Sequence, residues 1–399
     1  MNRGAVAEIN LSAIAHNLQS VRKIVKNRPV IAVVKADAYG HGAMEVSKKL
    51  FKENISFIAV AFTGEAIELR EAGIKAPIIV LFDTGEIKDF FDFKLIPVIY
   101  NVDTALSFSA EAKKRNTIIK VHVKIDTGMG RMGLNGNYIA RDLIKISEMD
   151  GIELTGLLSH FSEADLSDRS YAVLQLNRFN KIRETISGKL KRKFFSHIAN
   201  SAAVLTFEDA HLDAVRPGLM LYGYSPINQK SEVFTPTHPS PSRGEGEGGG
   251  EDSEPRTTSP ELINLIPAMK IKTKILCIRS FPSGSPISYG RTFITKRPSR
   301  IGVLPLGYAD GYSRFFSNNA EVLVKGKRVP VVGRICMDLT MIDITDVKDV
   351  RGNDEVIILG KQGKESITAQ ELAYKANTIS YEILTSLGNK SKRIYVETH

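Results

Sequence analysis

Along the first half of the chain, short apolar, β-branched runs alternate with longer stretches whose apolar residues recur at helical spacing. The runs predicted as strands are Val30–Lys35, Ile55–Ala61, Pro77–Phe82, Ile96–Tyr100, Ile118–Ile125, Glu153–Ser159, Phe194–Ile198 and Ala214–Arg216. Helices are expected between them, as at Glu65–Ala72, where Ala66, Leu69 and Ala72 share a face and Gly73 is placed to end the helix. Eight β-then-α units predict a (β/α)8 TIM-like barrel, although a doubly wound open sheet satisfies the same alternation. A barrel puts functional residues just past the C-terminal ends of its strands. Lys35, Arg131, His160, Ser201 and Arg216 all fall there.

The texture changes at residues 229–261, which are rich in Pro, Ser, Gly and Glu and offer little to bury. A disordered linker or insertion is expected. Beyond it, runs at Lys270–Ile278, Arg300–Pro305, Ala320–Val324, Lys327–Val332, Met341–Ile344 and Glu355–Leu359 alternate with Gly-containing turns, with one short helix at Thr368–Ala376. The expected organisation is therefore a barrel over residues 1–228, the linker, and a mostly β domain over 262–399.

A chain of 399 residues with 43% hydrophobic and 25% charged positions has ample material for a large core. Cys277 and Cys336 stand far apart, which fits a reduced intracellular protein without disulfides. The formal net charge is +10, but its cations are spread along the chain, with only short clusters such as Lys189, Lys191, Arg192 and Lys193. No basic stripe with interleaved aromatics points to nucleic acid. No apolar run is long enough to cross a membrane, and the N-terminus lacks a signal-peptide core. A cytoplasmic protein is expected, and no metal site is.

Several segments could carry chemistry. In AVVKADAYGHG, Lys35 ends an apolar strand before a turn. A Schiff-base amine must be desolvated and must face a pocket; position alone fits better a lysine snorkelling to solvent. In KIDTGMGRMG a glycine-rich loop would aim Arg131 inward. Asn200 and Ser201 in HIANSAA, and Gly218 and Leu219 in VRPGLMLYG, place hydroxyls and backbone N–H groups where phosphate binds readily, though caps and simple turns look the same. Tyr289 lies in SYGRTF. A tyrosine titrates near about 10 and is a poor base unless cations stabilise its phenolate. Cys336, with no histidine nearby, reads as a structural thiol.

Taken together, with PLGYADGY, VGRICMD, ISYEIL and the final RIY, these motifs closely resemble alanine racemases in order and spacing. The resemblance runs from near residue 6 to Tyr395 and leaves out only the linker.

That resemblance implies a pyridoxal phosphate (PLP) enzyme that interconverts L- and D-alanine, supplying D-alanine for bacterial peptidoglycan. It implies that Lys35 carries PLP, that Tyr39, Asn200, Ser201, Gly218, Leu219 and Tyr381 surround the cofactor phosphate, and that Arg216 faces the pyridine nitrogen. His160 belongs to a proton chain with Arg216. Arg131 and Met337 match positions at the substrate carboxylate, and Lys124 one that is often carbamylated. Lys35 and Tyr289 are the two bases. A homodimer with shared active sites is implied, because Tyr289 and Met337 of one subunit complete the site around Lys35 of the other. A decarboxylase of the same architecture, a non-catalytic PLP-binding regulator and a racemase of broader specificity, for serine or lysine, are the alternatives; the last differs only in pocket volume, which a methyl's worth of space alters modestly. The SYGR motif and paired arginines argue against the first, and the β domain against the second.

Overall fold

Residues 6–10 alternate half-exposed and buried positions, the pattern of a strand with one face on a core. This strand, β1 (Val6–Asn10), leads directly into helix α1 (Leu11–Ile24). The Asn10 carboxamide oxygen caps the helix by accepting from the backbone N–H of Ser12 at 3.0 Å and of Ala13 at 3.2 Å. The computed structural model describes residues 4–227 and 263–398. The predicted linker, 229–261, lies outside the described residues.

Seven strands then follow in sequence order: β2 (Ile31–Val33), β3 (Phe57–Val60), β4 (Ile78–Val80), β5 (Ile96–Ile99), β6 (Ile119–Lys124), β7 (Ile152–Leu158) and β8 (Phe195–His197). Each pairs in parallel with the next. Their residues are largely buried on both faces, as a parallel sheet covered by helices requires. The predicted eighth strand, Ala214–Arg216, is reduced to two bridged residues. Ala214 pairs with His197 and Val215 with Val30, both parallel, and together they close the ring. Pro217 follows at once, and a residue without an N–H cannot extend the ladder. The first domain is thus barrel-like, and the second is mostly β.

The second domain's main sheet runs Lys327–Pro330, Glu321–Val324, Glu355–Gln362, Met269–Lys274, β1 and Lys392–Val396 in spatial order. The N-terminal strand is therefore built into this sheet, antiparallel to Met269–Lys274 and parallel to Lys392–Val396. The single strand predicted over Lys270–Ile278 is two: Met269–Lys274 in the main sheet, and Cys277–Phe281 in a three-stranded sheet with Ser299–Leu304 and Thr340–Asp343. A hairpin of Pro286–Ile287 and Phe293–Ile294 carries Tyr289 in its loop. The helix expected at Thr368–Ala376 spans Ala369–Lys375, with the Thr368 hydroxyl accepting from Glu371 N at 3.1 Å.

A second helix, Ser380–Lys390, was not expected. It packs on the turn after Lys35 so closely that a Cβ on Gly388 would lie 2.4 Å from the Gly40 carbonyl oxygen. That contact brings Tyr381 to the barrel mouth, and one hydrophobic core runs through both domains. Among the described residues, no helix is long and apolar enough to cross a membrane.

Candidate active site

The chain turns back on itself immediately after Lys35. Ala36, Asp37, Ala38 and Tyr39 have φ of 52°, 54°, 55° and 54°, a left-handed turn built of non-glycine residues. Each such residue costs roughly 1–2 kcal/mol, so the turn persists only because it is fastened. Ala36 N donates to Glu65 Oε1 at 2.6 Å, Ala43 N donates to Asp37 Oδ1 at 2.6 Å, and Asp37 pairs with Arg393 at 2.5 Å. The strain places Lys35 and Tyr39 at one mouth, and such outliers cluster at functional sites.

The C-terminal ends of the barrel strands surround a cavity of about 260 Å³. Lys35 and Tyr39, Lys124 and Arg131, His160, Asn200 and Ser201, Arg216, Gly218 and Leu219, and Tyr381 all line it. The structure does not bring Tyr289 and Met337 there. They are 70% and 54% exposed, on loops of the second domain.

Among the described residues, four cations line the cavity and no carboxylate does. Burial and the Arg131 charge lower the pKa of Lys35, and Glu65 partly opposes them. Burial, with Arg131 and Arg216 next, lowers the Lys124 amine to about 8. Lys35 Nζ, Lys124 Nζ and Arg131 Cζ lie 5.4, 5.2 and 5.2 Å from the Phe82 ring centre, so one aromatic face set gathers three cations. Arg131 is aimed by its loop, since Asp126 accepts from the N–H groups of Gly128, Gly130 and Arg131 at 2.9, 3.1 and 3.2 Å. Gly133 has φ +133°, and a Cβ there would lie 2.6 Å from Asp126 N.

Arg216 is buried and bonds only neutral groups: His197 Nδ1 and O, Ser159 O at 2.5 Å, and Ile198 O at 3.1 Å. Burial lowers its hold on its proton, but a guanidinium is too strong a base to lose it near neutral pH. His197 Nδ1 therefore accepts, so its Nε2 carries the proton and donates to His122 Nδ1 at 3.0 Å. His160 is kept neutral by burial and then by the Arg216, Arg131, Lys124 and Lys35 charges.

At the other end, Ser201 Oγ accepts from Gly218 N at 2.9 Å. A Cβ on Gly218 would lie 2.4 Å from the Tyr39 hydroxyl, so glycine alone leaves this cradle open. Burial raises the pKa of both phenols here, Tyr381 to about 12, with Asp165 adding to the shift. Both remain neutral donors. Neutral hydroxyls and backbone N–H groups at one end, a desolvated lysine between, and an arginine with no carboxylate partner at the other form a cradle that fits PLP.

Sequence reading did not name Glu65 or Phe82 as site residues. Glu65 had a visible signal as an acidic residue in the first turn of a helix following a barrel strand, and it also accepts from Ala61 N at 2.7 Å. Phe82 was read only as the last residue of a predicted strand.

Residues 9–226 match the family model for the alanine racemase N-terminal domain, and residues 268–395 match that for the C-terminal domain. An alanine racemase of Thermodesulfovibrio yellowstonii is 47% identical, over 99% of this chain and 99% of its own. Among solved structures, alanine racemase of Clostridium difficile 630 superposes with a TM-score of 0.85 at 34% identity, covering 100% of this chain and 97% of that one. Alanine racemase of Bartonella henselae, solved with covalently bound pyridoxal phosphate, gives a TM-score of 0.82 at 28% identity, covering 98% of this chain and 99% of that one. Profiles spanning both domains, and relatives alike along nearly the full length, leave one assignment: the chain belongs to the alanine racemase family, PLP enzymes that interconvert L- and D-alanine.

Proposed function

We propose that this chain racemises alanine by a two-base mechanism, with Lys35 and Tyr289 on opposite faces of the substrate and Tyr289 supplied by a second copy of the chain. The observation that carries the cofactor half is the cavity itself, where a desolvated lysine stands among cations with no carboxylate among the described residues. Such a site calls for an anionic ligand. Lys35 would hold PLP, with Tyr39, Asn200, Ser201, Gly218, Leu219 and Tyr381 around its phosphate and Arg216 opposite the ring nitrogen.

When bound, PLP withdraws electrons from the substrate Cα and makes its proton removable. The chain's own groups do the rest. Lys35 Nζ, lowered in pKa by burial and by Arg131, takes or returns the proton on one face. The Tyr289 hydroxyl does so on the other. Arg131 and the Met337 N–H hold the substrate carboxylate, and Arg131 also stabilises the phenolate of Tyr289. His160, neutral in its cavity wall, passes protons between Tyr289 and solvent. Arg216, charged and bonded to neutral partners, gives no proton to the ring nitrogen. Lys124, which is partly neutral near pH 8, is a candidate for carbamylation, and the new carboxylate would hold Arg131.

The homodimer is supported by what the Lys35 cavity lacks. Tyr289 and Met337 are exposed, and Tyr308 and Leu339 beside Met337 are also 44% and 38% exposed. An exposed aromatic and apolar group of this kind suits an interface. We propose that the D-alanine product serves bacterial peptidoglycan.

An assay of both alanine enantiomers and a panel of other amino acids, with and without added PLP, tests this reading. Alanine racemisation that needs PLP and disappears in Lys35→Ala is expected. Full activity in Lys35→Ala would overturn it.

A further inference from the structure

The two loops that the Lys35 cavity lacks are bonded to each other through one side chain. Ser288, the residue before Tyr289, has φ 63° and ψ −175°, a backbone region that is essentially reserved for glycine. Its hydroxyl donates to the Arg334 carbonyl oxygen at 2.5 Å and lies 3.6 Å from Cys336 Sγ, next to Met337. Gly333 makes this approach feasible, since a Cβ there would lie 2.8 Å from both the Ile287 carbonyl oxygen and Ser288 Cβ. Asn318 ties the same loops a second time. Its Oδ1 accepts from Gly333 N at 2.6 Å, and its Nδ2 donates to Thr292 Oγ1 at 3.2 Å.

A serine holds a glycine-only conformation only where its surroundings over-determine it, and strain of this kind concentrates where a side chain must be aimed. Here the strained residue is adjacent to Tyr289, and its hydroxyl bond reaches the loop that presents Met337. Tyr289 and Met337 are themselves exposed, so burial of their own side chains does not hold either in place.

We infer that Ser288 is a positioning residue that locks Tyr289 and Met337 into one preassembled unit, so that both enter a second copy's Lys35 cavity together. The inference rests on the reading of Tyr289 as the base on one face.

The test follows the Cα proton of L-alanine and of D-alanine in deuterated water, using PLP-loaded wild type, Ser288→Ala, Ser288→Gly and Tyr289→Phe. In Ser288→Ala the pin is gone and the backbone is free to leave its strained region. L-Alanine exchange should fall by about tenfold or more, because misplacing a reacting group by an ångström is worth up to about 10²-fold. Both exchanges are read at saturating alanine, where a loosened Met337 contact shows in KM for both enantiomers, and D-alanine exchange, which uses the undisplaced Lys35, should stay within roughly threefold of wild type. Ser288→Gly tolerates the native backbone and should keep more L-alanine exchange than Ser288→Ala. Wild-type exchange in Ser288→Ala, equal loss for both enantiomers, or a glycine variant no better than alanine would each overturn the inference. Tyr289→Phe separates the two levels. If it loses L-alanine exchange selectively and Ser288→Ala does not, the inference alone fails. If Tyr289→Phe shows no asymmetry, the reading of Tyr289 fails and takes the inference with it.

Discussion

Arg216 Nη1 donates to His197 Nδ1, and that bond sets the tautomers of two buried histidines. Because His197 must accept there, it donates from Nε2 to His122, and both rings are neutral. Burial is the first cause of their lowered pKa, with Arg216 second. The guanidinium thus sits on neutral acceptors and keeps its charge for whatever faces it across the cavity.

Replacing Arg216 with Glu should change the chemistry more than the binding. A carboxylate facing the cofactor ring would favour protonation of the ring nitrogen and stronger electron withdrawal. Racemisation should fall by about 10²-fold or more, the scale seen when one preorganised electrostatic contact is lost. Slow transamination of alanine and an altered cofactor absorbance should appear. Wild-type rates and spectra would show that Arg216 does not face the ring.

The Gly218 cradle makes a steric prediction. In Gly218→Ala the new Cβ would meet the Tyr39 hydroxyl at 2.4 Å and push the phenol out of place. Hydrogen bonds to a charged group contribute about 1.5–3 kcal/mol, so PLP affinity should drop by roughly 10- to 100-fold. A fluorescence titration of the cofactor-free variant measures this. Unchanged affinity would move the phosphate away from Tyr39.

Lys124 makes a prediction about pH. Its amine titrates near 10.5 when unperturbed and near 8 in the fold, lowered by burial and then by Arg131. Between these values the unfolded chain binds more protons, so stability rises with pH across this window and the penalty for burying the charge is fully present below it. The shift corresponds to roughly 3 kcal/mol. Urea unfolding of the cofactor-free protein in CO2-depleted buffer, between pH 7.5 and 9.5, should show wild type gaining on Lys124→Met. Parallel curves would contradict this. With labelled bicarbonate added, wild type but not Lys124→Met should show a carbamate carbon resonance.

Much of this site was legible because a barrel turns sequence position into geometry. A residue just past an apolar run lands at the strand's C-terminal end, so Lys35, His160 and Arg216 could be placed from pattern alone, and their motifs supplied the chemistry. What escaped depended on distant partners. Val6–Asn10 interrupts its apolar positions with Glu8 and Asn10 and runs straight into a helix, and its neighbour Lys392–Val396 lies at the other end of the chain. Ala214–Val215 closes the ring as two bridged residues rather than as a strand. Ile275–Leu276 reads as part of one apolar run, yet there the chain passes from one sheet to another. Phe82 looks like an ordinary strand-end aromatic until Lys35 arrives from the end of β2, and Lys124 and Arg131 from β6 and the loop after it. The left-handed turn after Lys35 is made by alanines, an aspartate and a tyrosine, so no run of glycines announces it.

Lys35 lies in the cavity and Tyr289 stands exposed outside it, and the proposed two-base site would join them across two copies of the chain. Mixing Lys35→Ala protein with Tyr289→Phe protein, each inactive alone, tests this most directly. A heterodimer would hold one site with both Lys35 and Tyr289 intact. Activity should return as subunits exchange and should approach about a quarter of wild type if mixing is random and each mixed dimer carries one of two sites. Exchange demonstrated by mass labelling with no return of activity would contradict the shared two-base site.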